Sequence, residues 1–357
     1  MDKPLEVTIV ILDNGFTSTA IGPMEVFHSA GRLMQFLLGK PEQPRFNVRM
    51  ASVGGEPVTS VYGISLVPNC ALEDVEQTDL VLITASHSCL LEQIPCKTLV
   101  VPWLRAAHEK GTYLAGVCSG VALIAETGRL DNRRATTHWG VADMFRQRYP
   151  KVRWQPEHFI TEDAGLFCGG GVYAAIDLSL YLVEKFCGHE IALECAKSLM
   201  VTPPRNLQSG YAVAPLSRPH SDERIKQIEH HLQSCFDQDI AVEAVAAEHA
   251  MSPRNLLRRF KAATGHLPGE YLQLLRVTAA RQLLERGRAP VHKVAAAVGY
   301  EDSSYFRGIF KRHTGMTPKE YRNRFGPLVV SSGEIRDRGS PATDGSPRRR
   351  FATPIVA

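Results

Sequence analysis

Between residues 252 and 322 the chain carries one pattern twice. Phe260-Lys261, Thr264-Gly265, Pro268 and Glu270-Tyr271 return as Phe310-Lys311, Thr314-Gly315, Pro318 and Glu320-Tyr321, each 50 residues later. Ala246-Ala247 recur at the same offset as Ala296-Ala297, which brings a preceding helix into the unit. A fixed period of this kind means one supersecondary unit used twice. Here that unit is an Ala/Val-rich helix, a tight turn, and a second helix closed by Thr-Gly.

The spacing predicts a helix-turn-helix in each copy. In the first, 242–249 is helical, with Val242, Val245 and Ala246 on one face. Ser252 caps the next helix and Pro253 suits its first position. Leu256 and Phe260 then point inward, leaving Arg254, Leu257, Arg258 and Lys261 outside. In the second copy 291–298 is the first helix, and Gly299 supplies a left-handed turn residue. Asp302 or Ser303 caps the helix that follows. Phe306 and Phe310 face the core, leaving Ser303, Ser304, Arg307 and Lys311 for a partner, with Gly308 where a longer side chain is expected. Two ordinary helical hairpins, held by Leu and Phe burial alone, satisfy the same pattern.

Charge favours the partner. Residues 251–326 hold fifteen Lys/Arg against five Asp/Glu, an excess that duplex DNA rewards through phosphate neutralisation and counterion release. Residues 1–218 carry 19 basic and 22 acidic groups, residues 219–357 carry 22 and 15, so the overall charge of +4 hides a basic back half. Gly299-Tyr300, Tyr305-Phe306, Phe310-Lys311, Gly315, Pro318 and Tyr321-Arg322 resemble the signature of the AraC/XylS family of bacterial transcription regulators, over about the last third of the chain. The resemblance implies sequence-specific binding of double-stranded operator DNA, with RNA polymerase as a downstream partner. Two reading helices would enter successive major grooves about 34 Å apart. The first is expected to supply most of the base discrimination and the second more of the phosphate contact.

Ahead of this region, apolar runs alternate with helical patterns. Strands are expected at 7–12, 46–51, 64–67, 80–84 and 113–117, with helices at 21–30, 103–110 and 120–125. A helix near 141–149, short strands at 159–160 and 166–167, and a long helix at 174–186 follow. Unbroken apolar strands between helices argue for a parallel sheet covered on both faces. The fold class is therefore an α/β doubly wound, flavodoxin-like sheet domain followed by an all-α double helix-turn-helix domain. Ligands of such sheets bind beyond the carboxyl ends of the strands, which places Asn14, Gly15, Phe16, Ser86, His87, Cys118 and Ser119 there, with the Gly169-Gly170-Gly171 turn as a further neighbour. That glycine run lacks the Lys-Ser/Thr of a P-loop.

Gly116-Val117-Cys118-Ser119-Gly120 has the form of a nucleophile elbow, its glycines permitting a sharp strand-to-helix turn. The helix start is expected to lower the thiol's pKa and to offer free N–H groups to an anion. Residues 21–27, 115–120 and 134–139 resemble the PfpI/ThiJ branch of the class I glutamine-amidotransferase-like superfamily, over roughly residues 5–200. In that branch Cys118 matches the elbow cysteine and His138 its partner. Enzymes of the branch usually carry a carboxylate where this chain has Thr19, and hydrolase members often place histidine where it has Ser119. Cys118 is then a small residue at a tight turn, a ligand contact, or a nucleophile.

The two resemblances together match the amidotransferase-like subgroup of AraC-family regulators. They imply a regulator that responds to a small, nitrogen-containing effector, with a homodimer as one form; the alternative is a cysteine hydrolase using Cys118 and His138. The expected division is a sensor domain at 1–201, a proline-rich linker at 202–220 whose few apolar points are Tyr211 and Leu216, a DNA-binding domain at 221–326 and a disordered tail at 327–357. A helix at 225–236 opens the DNA-binding domain, its His230-His231 pair expected to be solvated, and one at 271–285 joins the two units. Eight cysteines without Cys-x-x-Cys pairs read as reduced thiols of a cytoplasmic protein, and Cys187, His189 and Cys195 fit no zinc spacing. No metal and no cofactor is expected, and no apolar run approaches the roughly 20 residues of a membrane span.

Overall fold

The computed structural model describes residues 3–326 apart from positions 93, 95, 203–206, 213–215, 218 and 288. The tail expected beyond 326 lies outside the described residues.

The sheet region begins with β1 (Leu5–Val10), α1 (Ser18–Ser29), the short α2 (Leu33–Leu37) and β2 (Phe46–Ser52). A two-residue hairpin, β3 (Val58–Thr59) and β4 (Ser65–Leu66), precedes β5 (Cys70–Ala71) and β6 (Leu80–Ile83). Then come α3 (Lys97–Glu109), β7 (Tyr113–Val117), α4 (Val121–Glu126), β8 (Arg134–Ala135), α5 (Ala142–Arg148) and β9 (Arg153–Trp154). The region closes with β10 (Ile160–Asp163), β11 (Leu166–Gly169), α6 (Ala174–Cys187) and α7 (His189–Ser198).

Seven strands form one sheet in the order β10-β11-β7-β6-β1-β2-β5. All neighbours are parallel except the β10/β11 hairpin at one edge. The apolar runs on β1, β6 and β7 are buried on both faces because helices cover both. Val7, Ile9 and Leu82 pack against α1 and α6, whereas Val10, Val81 and Ile83 pack against α3 and α4. The order reverses between β1 and β6, so the loops after β1, β6 and β7 open at one carboxyl edge, the place where open α/β sheets bind ligands.

The helical region comprises α8 (Glu223–Ser234), α9 (Val242–Glu248), α10 (Pro253–Thr264), α11 (Pro268–Arg286), α12 (Val291–Ala297), α13 (Ser303–Thr314) and α14 (Pro318–Phe325). Each letter of the repeated pattern has a physical task done twice. Phe260 meets Tyr271 edge-on at 5.3 Å, and Phe310 meets Tyr321 at 5.3 Å, contacts worth about 0.5–1.5 kcal/mol beyond area burial. Gly265 and Gly315 end their helices in the left-handed region, with φ of 89° and 75°. Pro268 and Pro318 open the next helix. The backbone N–H groups of Leu267 and Thr317 donate to Glu270 and Glu320 at 2.9 and 2.7 Å.

Ala246-Ala247 and Ala296-Ala297, expected to be equivalent, are not. The buried pair of the first unit, Val245 and Ala246, corresponds to Val294 and Ala295, an offset of 49 rather than 50. Ala246 accepts from the Met251 N–H, and Ala295, not Ala296, accepts from Tyr300. The turns themselves match; the second connection is one residue longer because Glu301 stands between Tyr300 and the N-cap Asp302, where Met251 meets Ser252 directly. Left-handed Ala250 (φ 49°) and Gly299 (φ 81°) occupy matching places in the two turns. α11 buries Tyr271 and Leu275 in the first unit's core and Val277, Ala280 and Leu284 in the second's. It is therefore a shared rigid strut about 28 Å long.

Candidate functional site

At the end of β7, Cys118 has φ 53°, the strained left-handed conformation of an elbow. Gly120 is required beneath it, because a Cβ there would stand 2.4 Å from the Thr84 carbonyl oxygen. Cys118 itself is 8% exposed. Burial pushes its thiol up to about 11, only partly offset by hydrogen bonds from the Ser119 and His138 backbone. This reverses the expected lowering: the turn is short and closed over, so desolvation outweighs the helix start.

The neighbouring residues divide into frame and mouth. Ser119 is buried, its hydroxyl donating to the Ser86 carbonyl at 2.8 Å and accepting from the Ser86 N–H at 3.0 Å. Ser86 in turn donates to the Asp13 carbonyl and accepts from the Ser88 N–H. Both serines tie the loops after β1, β6 and β7 together. Thr19 is likewise a tie, donating to the Phe16 carbonyl at 2.7 Å and accepting from the Ala85 N–H at 3.1 Å. Gly15 leaves no room for a side chain, a Cβ there lying 2.8 Å from the Leu12 carbonyl oxygen.

At the mouth, Asn14 (φ 54°) and His87 are exposed, and the His87 ring stands edge-on to Phe16 at 5.2 Å. The His87 N–H donates to the Asn14 carbonyl. His138 is half-buried, and burial holds its imidazole below the usual range. Its Nδ1 accepts from the Gly140 N–H at 3.0 Å, and its ring lies against Trp139. The residue before it, Thr137, donates to the Cys118 carbonyl at 2.9 Å. Among the described residues no hydrogen bond joins the Cys118 thiol to the His138 ring.

Gln208, in the connector, escaped the sequence reading altogether. It is 2% exposed, and its side-chain amide donates to Thr136 Oγ1, the Thr137 carbonyl and the His158 carbonyl at 3.2, 2.9 and 2.8 Å. Three residues on, Tyr211 stands edge-on to Phe159 at 5.4 Å and to Phe325 at 4.8 Å. Arg281 donates to the Gly210 carbonyl and to the Tyr321 hydroxyl. The connector, read as a semi-rigid proline-rich linker, therefore grips the β11 side of the sheet region and the second helix-turn-helix unit together. Its two apolar points were the available signal: Tyr211 makes these ring contacts and Leu216 packs on the first unit's core.

The second candidate surface lies on α10 and α13. Arg254, Leu257, Arg258 and Lys261 are all exposed along one face of α10, while Leu256 and Phe260 are fully buried. The corresponding face of α13 carries Ser304, Arg307, Gly308 and Lys311, with Ser303 half-buried at its start. Ser252 and Asp302 cap the two helices. Tyr305, exposed beside this face, belongs to it as well. Arg259 does not, since its Nε and Nη2 both donate to Asp222.

Fold and sites define a class: a transcription regulator that joins an amidotransferase-like α/β unit to a tandem, AraC-type helix-turn-helix. Residues 6–185 match the DJ-1/PfpI family and residues 245–324 a helix-turn-helix domain, and the chain belongs to the DJ-1/PfpI family. The HTH-type transcriptional regulator CdhR of Pseudomonas aeruginosa is 28% identical over 83% of this chain and 87% of its own length. The HTH-type transcriptional regulator GlxA of Rhizobium meliloti is 25% identical over 80% and 87%. An isonitrile hydratase of Pseudomonas putida is 29% identical over 43% of this chain and 65% of its own. Among the described residues no helix is long and apolar enough to cross a membrane.

Proposed function

We propose that this regulator senses a small polar, nitrogen-containing metabolite at the mouth formed by Asn14, Phe16, His87, Cys118 and His138, and passes its occupancy to DNA through Gln208. The carrying observation is the continuous path from Cys118 through Thr137 to the Gln208 amide, and from the connector through Arg281 to Tyr321 and through Tyr211 to Phe325. A ligand that shifts the 137–138 segment changes what holds the connector. Sensor, linker and DNA-binding portions at 1–201, 202–220 and 221–326 suit this division.

Binding without turnover is the reading favoured for Cys118. A thiol near 11 is almost wholly protonated at neutral pH. Thr19 stands where a carboxylate would orient the chemistry, and His138 Nδ1 is engaged by the backbone. The likeness to an isonitrile hydratase keeps hydrolysis as the competing reading. That the relatives are transcription regulators supports the cytoplasm as compartment, RNA polymerase as downstream partner and a homodimer as one form.

The test is a metabolite panel scored by thermal shift of the full chain, followed by footprinting on genomic sites recovered with the same protein. Cys118→Trp should lose the response to any stabilising metabolite while keeping basal DNA binding. An undiminished response in that variant removes the site. Metabolite consumption by the wild type, abolished in Cys118→Ala, establishes the hydrolase instead.

A further inference from the structure

We infer that the helical region holds a divalent transition-metal site, of the zinc class, formed by His231, Glu248 and His249. His231 lies in the last turn of α8, Glu248 ends α9 and His249 follows it. One potential ligand atom from each lies within 4.8 Å of the other two. His231 Nδ1 is 3.6 Å from Glu248 Oε1, and the two imidazole rings meet edge-on at 5.7 Å. His231, expected to be solvated with its neighbour, is half-buried against α9; His230 alone is exposed.

A separate observation indicates that this is more than an ion pair. His249 Nε2 is shielded from solvent and has no hydrogen-bond partner among the described residues. A buried imidazole nitrogen left in that state pays its desolvation without return. The histidine pair with one carboxylate is a borderline nitrogen/oxygen donor set that suits Zn(II), with a fourth position left to water. Hard cations such as Ca(II) and Mg(II) prefer all-oxygen shells. Ligand atoms around tetrahedral zinc lie roughly 3.3–3.5 Å apart at zinc–nitrogen distances near 2.0–2.1 Å. Closing the present cluster therefore needs small side-chain rotations only. The end of α8 also favours a cation through its exposed carbonyls.

The site braces the first helix-turn-helix unit. His249 is followed at once by left-handed Ala250 and then by the N-cap of α10, Ser252. A metal there fastens α8 to the turn that sets the pitch of the DNA-facing helix.

The test uses full-length, tag-free protein stripped with a chelator and titrated with zinc chloride by calorimetry, with thermal unfolding alongside. One equivalent should bind per chain, and saturation should raise the unfolding midpoint by several degrees. Cobalt(II) at the same site should give the visible bands of a tetrahedral complex. His249→Gln should weaken binding by at least about tenfold and abolish those bands. The exposed Glu248→Gln, which leaves packing intact, should weaken it in the same direction with an unchanged far-ultraviolet spectrum. No saturable binding by the wild type, or wild-type affinity in both variants, overturns the site.

Discussion

Gln208 holds the carbonyl of Thr137 at 2.9 Å, and Gly170 leaves the space in which it does so. A Cβ at Gly170 would lie 2.0 Å from the Gln208 amide nitrogen. One side-chain amide and one missing side chain thus reinforce a grip on the sheet region that also includes the Gln208 N–H donating to the Glu157 carbonyl and the Tyr211–Phe159 ring contact.

Two substitutions release that grip from opposite sides. Gln208→Ala removes the donor to two carbonyls and a hydroxyl, at a cost of about 1–3 kcal/mol. Gly170→Ala expels the amide while leaving every connector residue as it is. Both should split the calorimetric unfolding of the full chain into separate sheet-region and helical-region transitions, while the wild type unfolds with the two more nearly coincident. Wild-type profiles in both variants would show that Gln208 couples nothing.

Cys118 should be a slow nucleophile. With its thiol near 11, well under 1% is thiolate at pH 7.5. Peptide mapping after brief iodoacetamide treatment should find Cys118 largely unmodified in the native chain and fully modified in denaturant. The native rate should rise about tenfold per pH unit below the thiol's pKa. Native labelling at pH 7 as fast as in the unfolded chain contradicts the closed elbow and returns nucleophilic chemistry to the site.

Asp222 both caps α8 and binds Arg259 of α10, accepting from Nε at 2.8 Å and Nη2 at 2.7 Å. These bonds hold its carboxyl below the usual carboxylate range. The sign follows: a depressed folded pKa means the contribution is complete above the unfolded value near pH 4 and is lost as pH falls through the folded one. Asp222→Asn keeps the cap and should cost under about 1 kcal/mol at pH 7, whereas Asp222→Ala removes both and should cost about 1–2 kcal/mol. In urea titrations the gap between wild type and Asp222→Asn should close at acid pH. A constant gap from pH 7 to pH 3 rules out the ion pair as its source.

What the sequence disclosed was whatever local chemistry dictates. Phe260, Thr264, Gly265, Pro268 and Glu270 each do a task within a few residues of themselves, so their repetition exposed the helical unit directly. β1, β6 and β7 were legible because burial on both faces leaves unbroken apolar runs. β5, β8 and β9, at two residues each, have no periodicity to read. The elbow's shape was legible from its glycines, but the direction of its thiol shift depends on what covers it. Ser119 and Thr19 carry ordinary hydroxyls whose partners, Ser86 and Ala85, come from distant loops. Gln208 gave no warning for the same reason, being a polar residue in a polar stretch until the fold brings it beneath Thr137. The one-residue slip between Ala246 and Ala296 arose because alanine pairs match at either offset; only burial distinguishes them.

The exposed faces of α10 and α13 are equal in frame and unequal in equipment. Offsets of 50 pair Arg254 with Ser304, Leu257 with Arg307, Arg258 with Gly308 and Lys261 with Lys311. α10 thus presents a guanidinium where α13 presents open space, since nothing lies within 4 Å of a Cβ placed on Gly308. Arg258 also has its guanidinium steadied by Asn255 Oδ1 at 3.1 Å, which suits directed contact with a base edge. Arg258→Ala should cost about 1–3 kcal/mol at one or two operator positions and relax specificity there. Arg307→Ala should lose less discrimination, and Lys311→Ala should weaken all sequences evenly while lowering the salt slope by about one. Gly308→Ala should stabilise α13 by up to about 1 kcal/mol and leave specificity unchanged. Binding measured across single-base operator variants decides the matter: equal loss of discrimination from Arg258→Ala and Arg307→Ala means the units read DNA alike despite their different side chains.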